Sequence, residues 1–127
     1  MNKTDANTTL QELKDMIATF SKERHWERHH DPKSLAMNIA IETAELMEHY
    51  VWNRAGEPNK KEVADELADV LFNVLNFAHT QNIDLATSFI DKFERLQIKY
   101  PVEVFNKDQD SLDDYKKIKQ AYRAGKQ

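Results

Sequence analysis

Two pairs of acidic residues lie inside otherwise apolar stretches of the chain. Glu42 and Glu45 occur in SLAMNIAIETAELMEHYVW, and Glu66 and Asp69 occur in KKEVADELADVLFNVLNFA. Each pair is spaced i, i+3, so both of its carboxylates project from the same face of a helix. Burying a carboxylate costs free energy unless it is paired or binds a metal. Four carboxylates on two neighbouring helices therefore indicate a cation site.

The chemistry of these side chains narrows the choice of cation. All candidate ligands are carboxylate oxygens, and the chain has no cysteine. Hard oxygen ligands suit Mg²⁺ or Mn²⁺ and not zinc, and Mg²⁺ in such a site is often shared with substrate phosphates. The alternative is that the acidic residues form an ordinary solvated helix face. The apolar residues Ile39, Ile41 and Leu46, which flank the first pair, argue against that alternative.

The elements that must position these acids are helices. Hydrophobic periodicity predicts helices over about residues 9–25, 34–53, 59–81, 84–100 and 111–122. Pro32 is expected to take the chain out of helix, and Ser34 is expected to cap the second helix. Asn59, with Glu62 three residues later, resembles a capping box for the third helix. The chain is therefore predicted to be all-α.

The second and third helices are predicted to form an antiparallel hairpin joined by a short turn at residues 54–58. On the third helix a polar stripe recurs at intervals of four and three residues. Its members are Glu62, Glu66, Asp69, Asn73 and Asn76. A turn centred near Gly56 would place Glu45 level with Glu66, and Glu42 level with Asp69. All four carboxylates would then converge.

Composition sets the class of protein. With 127 residues, 40% hydrophobic content and only two Gly and three Pro, the chain is expected to form one domain, with a core at about residues 9–102 and a polar tail at 103–127. The net charge of −4 and the absence of a basic cluster argue against a nucleic-acid partner. No apolar run is long enough for a membrane span, and MNKTDANTTLQE lacks the apolar core of a signal peptide. A cytoplasmic location is expected.

The paired acidic motifs also carry a family resemblance. Glu42-x-x-Glu45 followed by Glu66-x-x-Asp69 resembles the signature of the MazG-like, all-α nucleoside triphosphate pyrophosphohydrolases. Three further segments are similar to the dCTP pyrophosphatase-like branch of that family. They are FSKERHWERHHDP at residues 20–32, ETAELME followed by Trp52, and the basic segment from Lys92 to Lys99-Tyr100-Pro101. The resemblance covers about residues 9–102.

The resemblance implies a fold, a reaction and a cofactor. The fold would be of the four-helix-bundle type with a short C-terminal helix. The reaction would be Mg²⁺-dependent hydrolysis of a (deoxy)nucleoside triphosphate to the monophosphate and pyrophosphate, with Mn²⁺ as a possible substitute and nucleotide-pool control or house-cleaning as its role. Water would attack the α-phosphorus, and the barrier would be mainly one of charge and positioning. The implied metal ligands are Glu42, Glu45, Glu66 and Asp69.

Which carboxylate orients or deprotonates the attacking water stays open. The candidates are Glu42, Glu45 and Glu48, which is one helical turn beyond Glu45. The alternative for Glu48 is a structural pair with a basic side chain.

A second group of residues is expected to bind the substrate. Its members are Trp26, His30, Trp52, Asn73, Lys92 and Lys99. The tryptophans could instead belong partly to the core, and the lysines to a solvated helix face. The chain also departs from the family pattern, because Leu96 replaces a usual Asn and Asn73 stands where the dCTP branch often has Tyr. The preferred base is therefore left open.

Two functional alternatives and an assembly follow from the same helices. A ferritin-like di-metal oxidase needs Glu-x-x-His on two helices, and this chain offers only Glu27–His30 beside a helix break. A noncatalytic helical interaction or regulatory module is the remaining alternative. Helices two and three carry apolar residues around most of their circumference, more than a single chain of this length can cover. This pattern predicts a homodimer or homotetramer that buries the remaining apolar surface, as the resemblance also implies.

Overall fold

The protein is described by a computed structural model that covers residues 2–52, 56–105 and 111–125. Within these ranges every regular element is helical, which confirms the predicted all-α class. The α-helices are α1 (Leu10–Glu23), α2 (Pro32–Val51), α3 (Lys60–Thr80), α4 (Leu85–Lys99), α5 (Val102–Phe105) and α6 (Leu112–Ala124), and a 3₁₀ helix spans Trp26–His29. The chain forms two compact units, residues 1–85 and 86–127, and the single domain stays a prediction.

The first helix begins at a capping box. Thr9 Oγ1 accepts the main-chain N–H of Glu12 at 3.1 Å, and the Glu12 carboxylate accepts the main-chain N–H of Thr9 at 2.7 Å. The two bonds satisfy main-chain donors that a helix N-terminus leaves without intrahelical partners. With Lys3 at 2.6 Å, they lower the pKa of Glu12 to about 2. The predicted start of this helix is confirmed.

The second helix begins earlier than predicted, at Pro32. Asp31 is its N-cap, and the Asp31 carboxylate accepts both the main-chain N–H and the hydroxyl of Ser34. These two bonds lower the pKa of Asp31. The expected break between the first two α-helices is present, at residues 24–31, but Pro32 is already the first residue of α2. The expected cap at Ser34 was wrong, because Asp31 is the N-cap. Proline fits the first helical position because the N–H that it lacks would have no intrahelical partner there.

The third helix begins where the sequence predicts. Asn59 is the N-cap, and its side chain accepts the main-chain N–H of Lys61 at 2.9 Å. Glu62, expected to complete a capping box, lies with its carboxylate 4.0 Å from the imidazole of His49 on α2. Residues 53–55, which include the predicted end of the second helix and part of the predicted turn, lie outside the described residues.

The core of the first unit lies where α1, the start of α2 and the end of α3 meet. Its most buried apolar side chains are Ile17, Leu35, Leu75 and Ala78, each 6% exposed or less. Burying side chains of this kind is the main favourable contribution to folding. Because α2 and α3 are antiparallel, the start of α2 and the end of α3 lie at the same end of the pair, and this packing holds that end against α1.

The second unit contains α4, α5 and α6. Tyr100, directly after α4, stacks on Tyr115 of α6 at 5.3 Å and meets the edge of Phe105 of α5 at 5.8 Å between ring centroids. The short α5 was not predicted, whereas α6 agrees with the helix predicted from Ser111 to Tyr122. The parts of the predicted polar tail at residues 106–110 and 126–127 lie outside the described residues.

Among the helices that the structure describes, none is both long and apolar enough to cross a lipid bilayer.

Candidate metal and nucleotide site

Contacts between α2 and α3 define an antiparallel pair. His49 of α2 contacts Glu66 of α3 at 3.3 Å, and His30, just before α2, contacts Asn76 of α3 at 3.4 Å. As residue numbers fall along α2, the numbers of their partners rise along α3, which is the signature of antiparallel helices. The predicted central hairpin is therefore confirmed in the direction of its two helices.

Three of the four predicted metal ligands form a compact cluster. One carboxylate oxygen from each of Glu42, Glu45 and Glu66 lies within 4.8 Å of the other two. Glu42 and Glu66 are half-buried, and Glu45 is exposed. The i, i+3 spacing on α2 brings its two glutamates to one face, and the packing of α3 supplies the third. Oxygen atoms at these separations could ligate a single divalent cation.

The electrostatics of this carboxylate cluster are unfavourable without a cation. The pKa of Glu42 is raised, first because its side chain loses hydration and then because Glu45, Asp69 and Glu66 bring negative charge close to it. A hydrogen bond with Glu45 raises it further. Like charges held this close disfavour ionisation of the group between them. A bound cation would relieve that repulsion, so the donor set fits a hard divalent metal.

Asp69, the fourth predicted ligand, lies beside the cluster. Its charge is close enough to contribute to the raised pKa of Glu42, although its oxygens are not among the three that lie within 4.8 Å of one another. Asp69 is exposed and follows Glu66 by three residues on α3. Its side chain therefore borders the position that a cation at the three glutamates would occupy.

His49 also contacts the acidic residues of α3, although the sequence pattern did not single it out. Its imidazole Nε2 lies 3.3 Å from Glu66 Oε1, and its Nδ1 lies 4.0 Å from Glu62 Oε2. His49 follows Glu45 by four residues, which places both on one face of α2. That spacing was the available signal, but it has meaning only once α3 is known to face the same side.

Glu48, the remaining candidate base, is exposed and lies outside the three-carboxylate cluster. It follows Glu45 by three residues on α2, and its main-chain carbonyl accepts the N–H of Trp52 at 3.3 Å. Its predicted role in positioning or deprotonating water stays a prediction.

The predicted base-binding residues occupy several places in the first unit. Trp26 is 46% exposed and meets the edge of Phe20 at 5.4 Å between ring centroids. Trp52, at the C-cap of α2, is 73% exposed and is therefore not a core residue. Asn73 donates its side-chain N–H to the carbonyl of Asp69 at 2.9 Å, within its own helix. Both tryptophans keep ring surface available to a ligand.

The two predicted phosphate-binding lysines lie in the second unit, on α4. Lys92 is exposed, whereas Lys99 is half-buried. The ammonium of Lys99 lies 4.5 Å from the ring centroid of Tyr122 and 5.2 Å from that of Tyr100. A cation over an aromatic face is attracted by the electrons of the ring. The end of α4 therefore presents a lysine whose position is set by aromatic side chains of its own unit.

The helical fold and the facing acidic pairs define a class of protein, and comparisons with known proteins identify that class. The model of the MazG nucleotide pyrophosphohydrolase domain matches residues 30–101, which is more than half of the chain. This range contains both acidic pairs. The chain belongs to the MazG family.

Particular relatives share this similarity. The chain is 30% identical to dCTP pyrophosphatase 1 of Rattus norvegicus and 29% identical to that of Homo sapiens, over 76% of this chain and 61% of each relative. It thus spans about three fifths of the length of these relatives. The crystal structure of a pyrophosphatase from Archaeoglobus fulgidus DSM 4304 superposes with a TM-score of 0.68 at 34% identity, over 79% of this chain and 99% of that one.

Proposed function

We propose that this chain hydrolyses a (deoxy)nucleoside triphosphate to the nucleoside monophosphate and pyrophosphate, and that it requires Mg²⁺. The observation that carries the proposal is the cluster of Glu42, Glu45 and Glu66 oxygens within 4.8 Å of one another, in a chain of the MazG nucleotide pyrophosphohydrolase family. The similarity to dCTP pyrophosphatase 1 and to an archaeal pyrophosphatase supports the same reaction class.

The residues that would hold Mg²⁺ are Glu42, Glu45 and Glu66, with Asp69 beside them. When bound, the ion would neutralise phosphate charge and lower the pKa of the attacking water, with Mn²⁺ as a possible substitute. Glu42 fits this role because lost hydration and the nearby negative charges, which together raise its pKa, both disfavour the free carboxylate, and a bound cation would stabilise it. His49, in contact with Glu66, would hold that carboxylate in place.

The other candidate groups would act on water and substrate. Glu48, or Glu42 or Glu45 in place of its role as a ligand, would accept a proton from the water that attacks the α-phosphorus. Lys92 and Lys99 would bind the phosphates, and pyrophosphate would leave. Because phosphoryl transfer is limited mainly by charge and positioning, these cationic and anionic groups would supply most of the rate acceleration.

The base would contact some of the aromatic and polar residues predicted from the sequence. Trp26 and Trp52 offer exposed ring faces, on which a base could stack. His30 and Asn73 would contribute hydrogen bonds. The biological role that fits such a reaction is control of the nucleotide pool or removal of unwanted nucleotides.

Hydrolysis in isotopically labelled water tests the reaction itself. The purified protein would be incubated with Mg²⁺ and a panel of ordinary and modified nucleoside triphosphates in H₂¹⁸O. Attack at the α-phosphorus places the label in the monophosphate, whereas attack at the β-phosphorus places it in pyrophosphate. Release of inorganic phosphate from the γ-position, or the absence of any turnover, would contradict the proposal and favour a noncatalytic module.

A pair of amide substitutions on α3 tests the carboxylate cluster. Glu66→Gln should abolish turnover and the Mg²⁺-dependent rise in melting temperature, because ligand binding to the native state raises apparent stability. Asp65→Asn makes the same chemical change at the adjacent, exposed position and should preserve both. Loss of both properties in both variants, or in neither, would argue against the site.

We also propose that the chain functions as a homodimer or homotetramer. Large apolar side chains of α2 are exposed, with Met37 at 53%, Ile41 at 50% and Met47 at 56%. Monomeric proteins rarely leave large contiguous apolar surfaces in water. Light scattering at micromolar concentration should give at least twice the monomer mass, and Ile41→Glu should lower that mass. A wild-type monomer would contradict this proposal.

A further inference from the structure

A polar pocket lies between α1, the 3₁₀ segment and the C-terminal half of α3. Its volume is about 320 Å³, and its walls come from α1, the 3₁₀ segment and α3. The polar side chains that line it are Ser21, Glu27, His30, Asn76, His79 and Thr80. None of these residues belongs to the carboxylate cluster. The buried polar side chains among them favour a polar occupant, because buried polar groups need hydrogen-bond partners.

Ser21 is the least satisfied group in this pocket. Its side chain lies on α1 and is only 2% exposed, and within the described part of the chain its hydroxyl oxygen has no hydrogen-bond partner. A serine inside a helix commonly bonds back to a main-chain carbonyl of the preceding turn. The Ser21 hydroxyl makes no such bond and lines the pocket, so it can both donate to and accept from an occupant.

Asn76 provides a second, orientated polar group. It is 2% exposed, and its Nδ2 lies 3.4 Å from Nδ1 of His30. An amide carries two N–H donors and a carbonyl acceptor, and this contact uses one of the donors when Nδ1 of His30 is unprotonated. The contact with His30 fixes the plane of the amide, because a buried amide cannot rotate without losing its partner.

The pocket lies at a suitable distance from the carboxylate cluster. Asn76 follows Asp69 by seven residues on the polar stripe of α3, which is two helical turns or about 10 Å along the axis. That distance is similar to the separation between the base and the phosphates of a nucleotide. A triphosphate held at the acidic end of the stripe could therefore direct its base towards Ser21 and Asn76.

We propose that the Ser21–Asn76 pocket binds the hydrogen-bonding edge of the substrate's nucleobase, and that these two side chains determine which base is preferred. This inference rests on the proposed nucleotide hydrolysis and names its specificity-determining residues. The donor-and-acceptor character of the serine hydroxyl and the fixed amide matches the edge of a base, which also presents donors and acceptors side by side. The competing occupant is an ordered water.

Ser21→Ala is the informative variant because it removes only the unpartnered hydroxyl. The folded protein should keep or slightly raise its melting temperature in the absence of ligand, since a buried group without a partner is removed. Calorimetric binding of the deoxynucleoside 5′-monophosphates, without metal, is the first readout. Wild-type protein should prefer one base, and Ser21→Ala should weaken that preferred ligand about tenfold and the others much less. Thr19→Val, which removes an exposed hydroxyl from the same helix, should change nothing.

Hydrolysis rates provide the second readout. The ratio of kcat/KM between the best and worst base should fall about tenfold in Ser21→Ala. Equal binding of all bases by the wild-type protein would overturn the proposal. So would an unchanged preference in Ser21→Ala, because the base would then not contact the Ser21 hydroxyl, and an ordered water would remain as the alternative occupant. If only the proposed hydrolysis is wrong, the result is distinguishable, because base-selective binding would persist while no pyrophosphate is released.

Discussion

His49 Nε2 lies 3.3 Å from Glu66 Oε1, so a histidine of α2 contacts a candidate metal ligand of α3. The same imidazole lies 4.0 Å from the more exposed carboxylate of Glu62. Partners of this kind orient ligating side chains, and their loss commonly weakens metal binding by 10- to 100-fold. The His49–Glu66 contact therefore links the register of the two helices to the geometry of the proposed ion site.

Replacing His49 should weaken Mg²⁺ binding without removing a ligand. In His49→Ala the Mg²⁺ concentration that gives half-maximal hydrolysis should rise roughly tenfold, because Glu66 loses the group that holds it. His49→Gln keeps a hydrogen-bonding side chain and should show a smaller rise. The measurement is a Mg²⁺ titration of the initial rate. His29→Ala, at an exposed position before α2, serves as the control, and equal titrations for His49→Ala and the control would contradict the expected role.

Glu42→Gln should have opposite effects on stability with and without metal. The folded-state pKa of Glu42 is raised above its ordinary value of 4.5. Between these two pKa values the folded state binds more protons than the unfolded state, so the Glu42 contribution to the free energy of unfolding falls as pH rises through this window. Above both pKa values that loss is complete. In that pH range the metal-free variant should therefore melt about 1–3 °C higher than the metal-free wild type.

The same variant should lose the stabilisation that Mg²⁺ gives. Melting curves at pH 4 to 8, each with EDTA and with millimolar Mg²⁺, would separate the two effects. Towards pH 4 the difference between the metal-free variant and the wild type should shrink, because Glu42 becomes mostly protonated in both folded and unfolded states. A metal-free variant that melts lower than the wild type at pH 7 would show that Glu42 makes a favourable contact that the raised pKa does not reveal.

The hairpin and its acidic pairs could be predicted because they depend on local rules. Two residues at i, i+3 share a helix face in any helix, and the matched levels of Glu45 and Glu66 follow from a short connection. The start of α2 could not be predicted as well, because Pro32 is compatible with both a break and a first helical turn. The Asp31 carboxylate decides between them by capping the helix.

The sequence pattern could not predict individual contacts between residues far apart in the chain. The His49–Glu66 contact spans 17 residues, and the i, i+4 spacing of Glu45 and His49 gains meaning only once α3 is known to face the same side of α2. Ser21 is similar, because a serine in an amphipathic helix usually faces water. Its burial results from the packing of α1 on α3, and only that packing reveals the pocket that it lines.

Lys99 should contribute to substrate binding more than to the chemical step. We expect Lys99→Gln to raise KM for the triphosphate about tenfold, because it removes a positive charge that would contact phosphate in both ground state and transition state. The accompanying change in kcat should be small. Steady-state kinetics at two salt concentrations would measure the effect. Lys116→Gln, an exposed lysine of α6, should leave KM unchanged, and an equal KM in Lys99→Gln would argue against a phosphate contact.

The role of Glu48 can be distinguished from that of the metal ligands, because the loss of a general base and the loss of a metal ligand have different effects. If Glu48 accepts the proton of the attacking water, Glu48→Gln should lower kcat by at least about 10²-fold. The Mg²⁺-dependent rise in melting temperature should remain, since Glu48 lies outside the three-carboxylate cluster. In Glu45→Gln both kcat and that rise should be lost. The acidic limb of the kcat–pH profile should also disappear in Glu48→Gln, and an unchanged profile with full kcat would leave Glu42 or Glu45 as the group that activates water.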